Sequence, residues 1–349
     1  MDTTYREEHV TVEGRKHIHF DGVKRGFVVI TGFYLIAIAV LVILSVALAR
    51  NVGLIGIVRS ALVFSLWLAL PLALIDLLLY QWRWAALLAV PVLGLIFIFA
   101  PYFVPRSQSA VANKPVLTVL TLNVHKPRGA EANKQIATLI GSIDADIVAL
   151  QELGPDAKNN MGPLLIDQYP YQSFHQDEAH PGSGQGILSK EPILSDDYWK
   201  AGGPWNGNLR VEIDFQSTRV TVYNIHPHPP IERGLDPQMD SHAHVLRDAL
   251  DRASKDSGPV LLIGDFNMTE QFAPYQWIAG KFTDAYRAVG TVGLGFTHPT
   301  DIEGVPSIPL WRIDYIFYDN HFRGLDARTF GRSGSTDHLP LLARLQIVQ

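Results

Sequence analysis

Several polar residues of this 349-residue chain stand where apolar, β-rich runs come to an end. Asn123 follows Leu120-Thr121-Leu122, and Glu152 follows the run 147–151. His226 closes the run 222–225, and Asp265 and Asn267 follow 261–264. Asp314 sits inside the apolar stretch 312–316, and Asp337-His338 precedes Leu339-Pro340. Strand ends and their adjoining loops are where α/β proteins build sites. Glu, Asp and Asn side chains are hard oxygen ligands, suited to Mg²⁺ or Mn²⁺ rather than zinc. Two histidines among carboxylates suit general acid–base work beside such an ion.

Each residue alone also has an ordinary reading. Asn123 suits a turn, Glu152 a solvated loop, and Asp265 with Asn267 an Asx turn. His338 suits a satisfied core histidine, while His228, His242 and His244 read as surface or supporting residues. Asp314 is harder to dismiss, because a carboxylate between Ile313 and Tyr315 needs a partner if it is buried. The chain has no cysteine, which removes disulfides and thiolate metal sites. It also lacks a phosphate-binding Gly-rich loop and a Gly-x-Ser-x-Gly elbow, so nucleotide hydrolysis and serine esterase chemistry lack their signatures.

The elements that must position these residues alternate along the C-terminal part. Strands are expected at 116–124, 146–150, 260–263, 313–317 and 341–348, and helices at 131–143 and 240–255. Residues 209–215 and 219–225 alternate about Gln216-Ser217-Thr218, the pattern of a β-hairpin. Mixed strands and helices over 116–349 suit one α/β domain. Residues 104–115, polar with two prolines, read as a linker.

The first 103 residues are different. The run 27–49 carries no charge across 23 residues, enough at about 1.5 Å per residue to exceed a hydrocarbon core of roughly 30 Å. Further apolar runs cover 61–80, interrupted by Pro71 and Asp76, and 85–103, containing Pro91. The expectation is a polar tail over 1–26 and three transmembrane helices within 27–103, the last two joined by a tight link at 81–84. Arg59, ahead of the second run, and Asp76, a turn from its end, can snorkel or pair at low cost. Arg6, Arg15, Lys16, Lys24, Arg25 and Arg83 outweigh Arg50, Arg59, Arg106 and Lys114 on the opposite side. The positive-inside rule then places the N-terminus in the cytoplasm and the C-terminal domain outside, in an integral protein of the cell membrane.

Beyond residue 106 there are 20 Lys and Arg against 28 Asp and Glu. An acidic domain gains little from counterion release on a long duplex. A nuclease is still open, because bound metal ions offset local carboxylates.

The motifs TLNVH (121–125), DIVALQE (146–152), GILSK (186–190), VYNIHPH (222–228), LLIGDFN (261–267), RIDYIF (312–317) and STDHLP (335–340) occur in an order that resembles the endonuclease/exonuclease/phosphatase superfamily. The resemblance covers about 116–349. It implies an α/β fold, a four-layer α/β/β/α sandwich preceded here by three transmembrane helices. It implies Glu152 as the principal Mg²⁺ (or Mn²⁺) ligand, Asn123 beside it and Asp337 as a further metal-side ligand. Asp265 matches the residue that places or deprotonates the attacking water, and Asn267 a phosphate contact that also holds Asp265. His338 matches the histidine at the scissile phosphate, Asp314 the carboxylate that orients it, and His226 a second phosphate-binding or acidic histidine. Arg210 is a weaker candidate phosphate contact. The implied activity is metal-assisted attack of water on a phosphate ester, whether phospholipid, nucleic acid or sugar phosphate. No protein partner can be inferred. Leu153-Gly154 after Gln151-Glu152 departs from the DNA-repair branch, which carries Glu-Thr-Lys after the glutamine. The alternative is a catalytically silent membrane scaffold that retains the fold.

Overall fold

The computed structural model describes residues 12–48, 52–127, 129–205, 207–230, 235–302, 305–331 and 335–348. Arg6 and Arg50, two charges used above for orientation, lie outside them. The chain divides into two compact units, one of residues up to 49 with 58–100, the other of 50–57 with 101–349.

Helix α1 (Val12–Ala47) begins inside the polar N-terminal segment and runs through the first apolar stretch. Helix α2 (Val52–Ser65) is followed by a 3₁₀ turn at Leu66–Leu68 and by α3 (Ala69–Leu78). Pro71 accounts for this irregular turn: it has no N–H to offer the carbonyl of Trp67. Arg59 therefore lies within α2, not ahead of the second helix as its sequence position suggested. Helix α4 (Trp82–Phe99) tolerates Pro91 in its interior. The expected link at 81–84 is shorter: Tyr80 turns the chain at φ 60°, and Trp82 and Trp84 already belong to α4. Three helical stretches, of 27, 25 and 22 residues, are long and apolar enough to cross a membrane. Large apolar side chains stand outward on them, Phe97 at 85% and Val90 at 75% exposed among them. A helix apolar all round is stable in water only inside a large core, which this small unit does not provide. Asp76 points inward instead, fully buried, and accepts a hydrogen bond from Thr31 Oγ1 at 2.9 Å.

The second unit contains two six-stranded mixed sheets. The first orders its strands β13-β14-β1-β2-β4-β3, with β1 (Val116–Asn123), β2 (Ile147–Gln151), β3 (Tyr171–His175), β4 (Gln185–Ser189), β13 (Phe322–Thr329) and β14 (Leu341–Ile347). The second runs β5-β6-β7-β8-β12-β9, with β5 (Ile193–Lys200), β6 (Gly207–Phe215), β7 (Thr218–Ile225), β8 (Val260–Asp265), β9 (Thr283–Asp284) and β12 (Asp314–Tyr318). A small hairpin, β10 (Asp301–Ile302) and β11 (Val305–Pro306), stands apart. The pairs β1/β2 and β7/β8 are parallel, so each sheet aligns the ends of two central strands at one edge.

Helix α5 (Gly129–Ile143) covers the first sheet with Ile136, Ala137 and Ile140, a spacing that gives one apolar face. Helix α6 (Leu235–Ala253) and α7 (Ala273–Ala279) cover the second, with Val245, Leu246, Ala249 and Ile278 in its core. The result is the expected α/β/β/α sandwich. Buried polar groups join the two sheets: Gln151 Nε2 donates to Asn224 Oδ1 at 2.7 Å, and Asn224 Nδ2 donates to the Leu150 carbonyl at 2.9 Å. Such groups are tolerated inside only because each finds a partner.

Two details differ from the expectation. The hairpin turn holds two residues, not three: Gln216 and Ser217 have φ of 50° and 67°, and Phe215 pairs with Thr218. Asp314 opens its strand instead of sitting mid-strand. Residues 104–115 contain no helix or strand, yet they are fastened to the domain. Gln108 N donates to Leu325 O at 2.6 Å, and Gln346 Nε2 donates to Val111 O at 2.7 Å.

Candidate active site

The site gathers where β1, β2, β7 and β8 end and where β12 begins. Register does this work: Asn123 pairs with Gln151 in the first sheet, and Asp314 faces Asp265 in the second. Gly264 permits the close approach, since its φ is 140° and a Cβ there would lie 2.1 Å from the Ile225 carbonyl. The chain then turns sharply after each strand, with Glu152 at φ 53° and Asn267 at φ 47°. Left-handed backbone at non-glycine residues costs energy and is concentrated at functional sites.

Asn123 is the hub. Its amide donates to Glu152 Oε1 at 3.0 Å and to Asp265 Oδ2 at 2.9 Å, tying the first sheet to the second. The other oxygen of Asp265 accepts from the Asn267 backbone N–H at 2.8 Å. The Asn267 side chain does not point at Asp265; it donates to the Pro227 carbonyl at 3.0 Å, beside His226. His338 Nδ1 donates to Asp314 Oδ2 at 2.9 Å, and its Nε2 lies 3.7 Å from Asp265 and 3.9 Å from Asp337. His226 Nε2 is 3.5 Å from Glu152 and 3.9 Å from Asp265, and neither of its ring nitrogens has a hydrogen-bond partner although both are buried.

Burial and charge set the protonation states. Burial raises the pKa of Asp265, and the Asp314 charge raises it further against the pull of His338 and His226. For His338 burial works downward, but Asp314 and Asp265 outweigh it and push the pKa up to about 10, so the imidazole is a cation at neutral pH. Burial would raise Glu152, but the charges of His226 and Lys126 and the Asn123 amide overcome it and hold the carboxyl at about 2. Asp337 is held well below the usual carboxylate range: hydrogen bonds from His125 and His298 and the His338 charge outweigh its burial.

Seven of the sequence-predicted residues converge: Asn123, Glu152, His226, Asp265, Asp314, Asp337 and His338. Asn267 reaches the same edge through its backbone. Arg210 does not reach it. It pairs across the hairpin with Tyr223, on the face toward α6, and its guanidinium is held by Asp256 and Glu212, both at 2.8 Å. Alternation along β6 decides this: Leu209, Val211, Ile213 and Phe215 are buried on one face, which turns Arg210 to the other.

Four contributing residues were not assigned from sequence. His125 Nδ1 lies 3.1 Å from Asp337 Oδ1, and His298 Nε2 lies 3.3 Å from Asp337 Oδ2. Lys126 Nζ lies 2.9 Å from Glu152 Oε2. His242, on α6, is buried and donates through Nε2 to the carbonyl of Phe266, between Asp265 and Asn267. His125 closes the TLNVH motif and Lys126 directly follows it, so both could have been noticed there; His298 and His242 carry no local signal.

The donor set suits a hard divalent cation. Glu152, Asp337 and Asn123 offer oxygen at one edge, and the two carboxylates are ionised. Lys126 lies against Glu152, and His125 and His298 lie against Asp337. Among the described residues, two tighter groups have ligand atoms within 4.8 Å of one another: His298, Asp337 and His338, and Asp265, Asp314 and His338. The second already contains its own cation, the protonated His338, between two carboxylates. Glu152 and Asp337 are more accessible than Asp265 and Asp314.

Residues 120–338, more than half of the chain, match the Endonuclease/Exonuclease/phosphatase family. Among curated proteins no sequence matches the chain. An endonuclease/exonuclease/phosphatase from Beutenbergia cavernae is similar in structure, with 22% identity, TM-score 0.53, and coverage of 66% of this chain and 72% of that one. Sphingomyelinase C from Streptomyces griseocarneus aligns with 21% identity and TM-score 0.52 over 66% of this chain and 99% of its own. Beta toxin from Staphylococcus aureus aligns with 16% identity and TM-score 0.53 over 65% and 99%. At these identities the likeness concerns the fold.

Proposed function

The chain belongs to the Endonuclease/Exonuclease/phosphatase family, and we propose that it is a membrane-anchored, divalent-metal-dependent phosphoric-ester hydrolase whose catalytic domain spans 116–349. The observation that carries this reading is the Asn123 bridge. One amide joins Glu152, where a cation would sit, to Asp265, which faces the protonated His338–Asp314 pair.

Glu152, Asp337 and Asn123 would hold Mg²⁺ or Mn²⁺. Such an ion supplies Lewis-acid polarisation of a phosphoryl oxygen and neutralises charge in the transition state. The chain's own groups do the rest. Asp265 is made more basic by burial and by Asp314, and both of its oxygens are held, so it is a fixed acceptor for a proton from water. His338 presents a charged Nε2 to a phosphate oxygen while Asp314 fixes its orientation. His226, with both nitrogens unpartnered, offers a further donor to a non-bridging or leaving oxygen. The three apolar helices anchor the domain in the cell membrane, with the N-terminus cytoplasmic by the distribution of Lys and Arg.

Hydrolysis of bis(p-nitrophenyl) phosphate by the full chain in detergent tests the reading. Turnover is expected with Mg²⁺ or Mn²⁺ and none with EDTA. Turnover that ignores metal, or that survives in both Glu152→Ala and His338→Ala, would overturn it. A panel of sphingomyelin, phosphatidylinositol, single-stranded DNA, duplex DNA and RNA then assigns the ester class.

A further inference from the structure

The first unit contains a groove that the hydrolase site does not use. It measures about 550 Å³ and lies between the start of the apolar part of α1 and the turn that joins α3 to α4. Lys24 and Arg25 line it from α1, and Arg83 from the first turn of α4. Val28 and Val29 form an apolar wall, and Tyr80, Trp82 and Trp84 complete it. Gln81 holds the two sides together by donating from Nε2 to the Lys24 carbonyl at 2.8 Å. The Trp84 ring rests against α1 at Gly32.

This combination has a chemical meaning. Three cationic side chains converge at one end of the apolar spans. Repulsion among them favours an anion between them, and the apolar wall continues from the charged rim along the helices. Tryptophan and tyrosine at the same level are the side chains that settle where headgroups meet acyl chains. Among the described residues, no carboxylate pairs with Arg25 or Arg83. Gln81 Oε1 is also buried without a donor, which a hydroxyl-bearing headgroup can supply. Inorganic phosphate would satisfy the charges but leave the valine and tryptophan wall uncovered.

We propose that this groove binds one anionic glycerophospholipid, with its phosphate between Arg25 and Arg83 and an acyl chain along Val28, Val29 and Trp84. The proposal rests on the reading of the apolar helices as membrane spans, and it is independent of the hydrolase chemistry. By the Lys and Arg distribution, the groove faces the cytoplasmic leaflet, where basic side chains near the surface attract anionic lipid.

The test uses the full chain reconstituted in vesicles of phosphatidylcholine with a minor fraction of brominated phosphatidylglycerol. Bromine quenches nearby tryptophan, so Trp82 and Trp84 report occupancy. Quenching is expected to saturate at a lower mole fraction of brominated phosphatidylglycerol than of brominated phosphatidylcholine. The double variant Arg25→Gln/Arg83→Gln is expected to shift half-saturation by roughly 30-fold, from about 1 kcal/mol for each basic side chain near the surface. Equal quenching by the two lipids, or an unshifted double variant, would overturn the proposal. Reversal of quenching by millimolar glycerol 3-phosphate would also overturn it, by showing a phosphate site with no need of a chain. Alkaline carbonate extraction keeps the two readings apart. A chain released from membranes would sink the membrane reading and the lipid site together, whereas a retained chain without lipid preference would sink the lipid site alone. The double variant should hydrolyse a soluble phosphodiester at the wild-type rate, which shows that the catalytic unit is intact, and should stay in the membrane on carbonate extraction, which shows that the helical unit still inserts.

Discussion

Replacing His242 tests how the turn carrying Asp265 and Asn267 is held. His242 is 2% exposed, and its Nε2 donates to the Phe266 carbonyl at 2.9 Å. Burial drives its pKa down to about 4, against the smaller upward effect of the Phe266 and Asn267 carbonyls. The folded value is therefore below the ordinary 6.5. Between those two values the unfolded chain takes up a proton that the folded chain refuses, so this contribution to stability is present above pH 6.5 and is lost as pH falls toward 4. Integrating the difference from pH 7 to pH 5 gives about 2 kcal/mol. For a domain of this size that corresponds to a fall in melting temperature of roughly 4–8 °C. The assay is thermal unfolding of the detergent-solubilised chain by intrinsic fluorescence at both pH values, for wild type and His242→Gln. Gln keeps a donor for Phe266 but does not titrate, so its pH-dependent shift should be smaller by that amount. His242→Leu should lose stability at both pH values, by about 1–3 kcal/mol for an unmet buried carbonyl, and should lower kcat as the Asp265 turn relaxes. If His242→Gln keeps the full wild-type pH dependence, the buried neutral histidine is not the cause and the reasoning fails.

Arg312 is 3% exposed and bonds Asp284 at 2.7 Å and Glu270, to which Tyr102 also donates. Arg312→Met leaves the buried Asp284 carboxylate without its cation, while Glu270 keeps Arg287, and should cost about 3 kcal/mol in thermal or denaturant unfolding. Gly264→Ala places a Cβ against the Ile225 carbonyl in a left-handed backbone, and about 3 kcal/mol or more should be lost together with most turnover. Lys126→Met removes a charge that competes with a metal for Glu152; the half-saturating Mg²⁺ concentration should fall roughly fivefold, since the side chain is partly solvated and the pair is worth about 1 kcal/mol. An unchanged or higher Mg²⁺ requirement would show that Lys126 does not compete. Asp314→Asn should reduce kcat by about 10²-fold or more, because His338 loses the charge that keeps it protonated; an unchanged rate–pH profile would refute that role.

The sequence by itself determined the features that depend on local pattern. Three apolar runs were legible because bilayer thickness sets a length that few other structures need. Asn123, Glu152 and Asp265 were legible because a polar residue at the end of an apolar strand is an anomaly visible within a few residues. Tertiary structure decided everything that depends on register and on distant partners. Packing of β6 put Arg210 on the face covered by α6, where Asp256 and Glu212 hold it away from the site. His125 and His298 meet on Asp337 from loops far apart in the chain, and His242 reaches the Asp265 turn from a helix. The Asn123 amide chooses Glu152 and Asp265 only because two sheets stack so that their strand ends face each other. Side-chain type is local, whereas a hydrogen bond is fixed only once the packing of both sheets has set its distance.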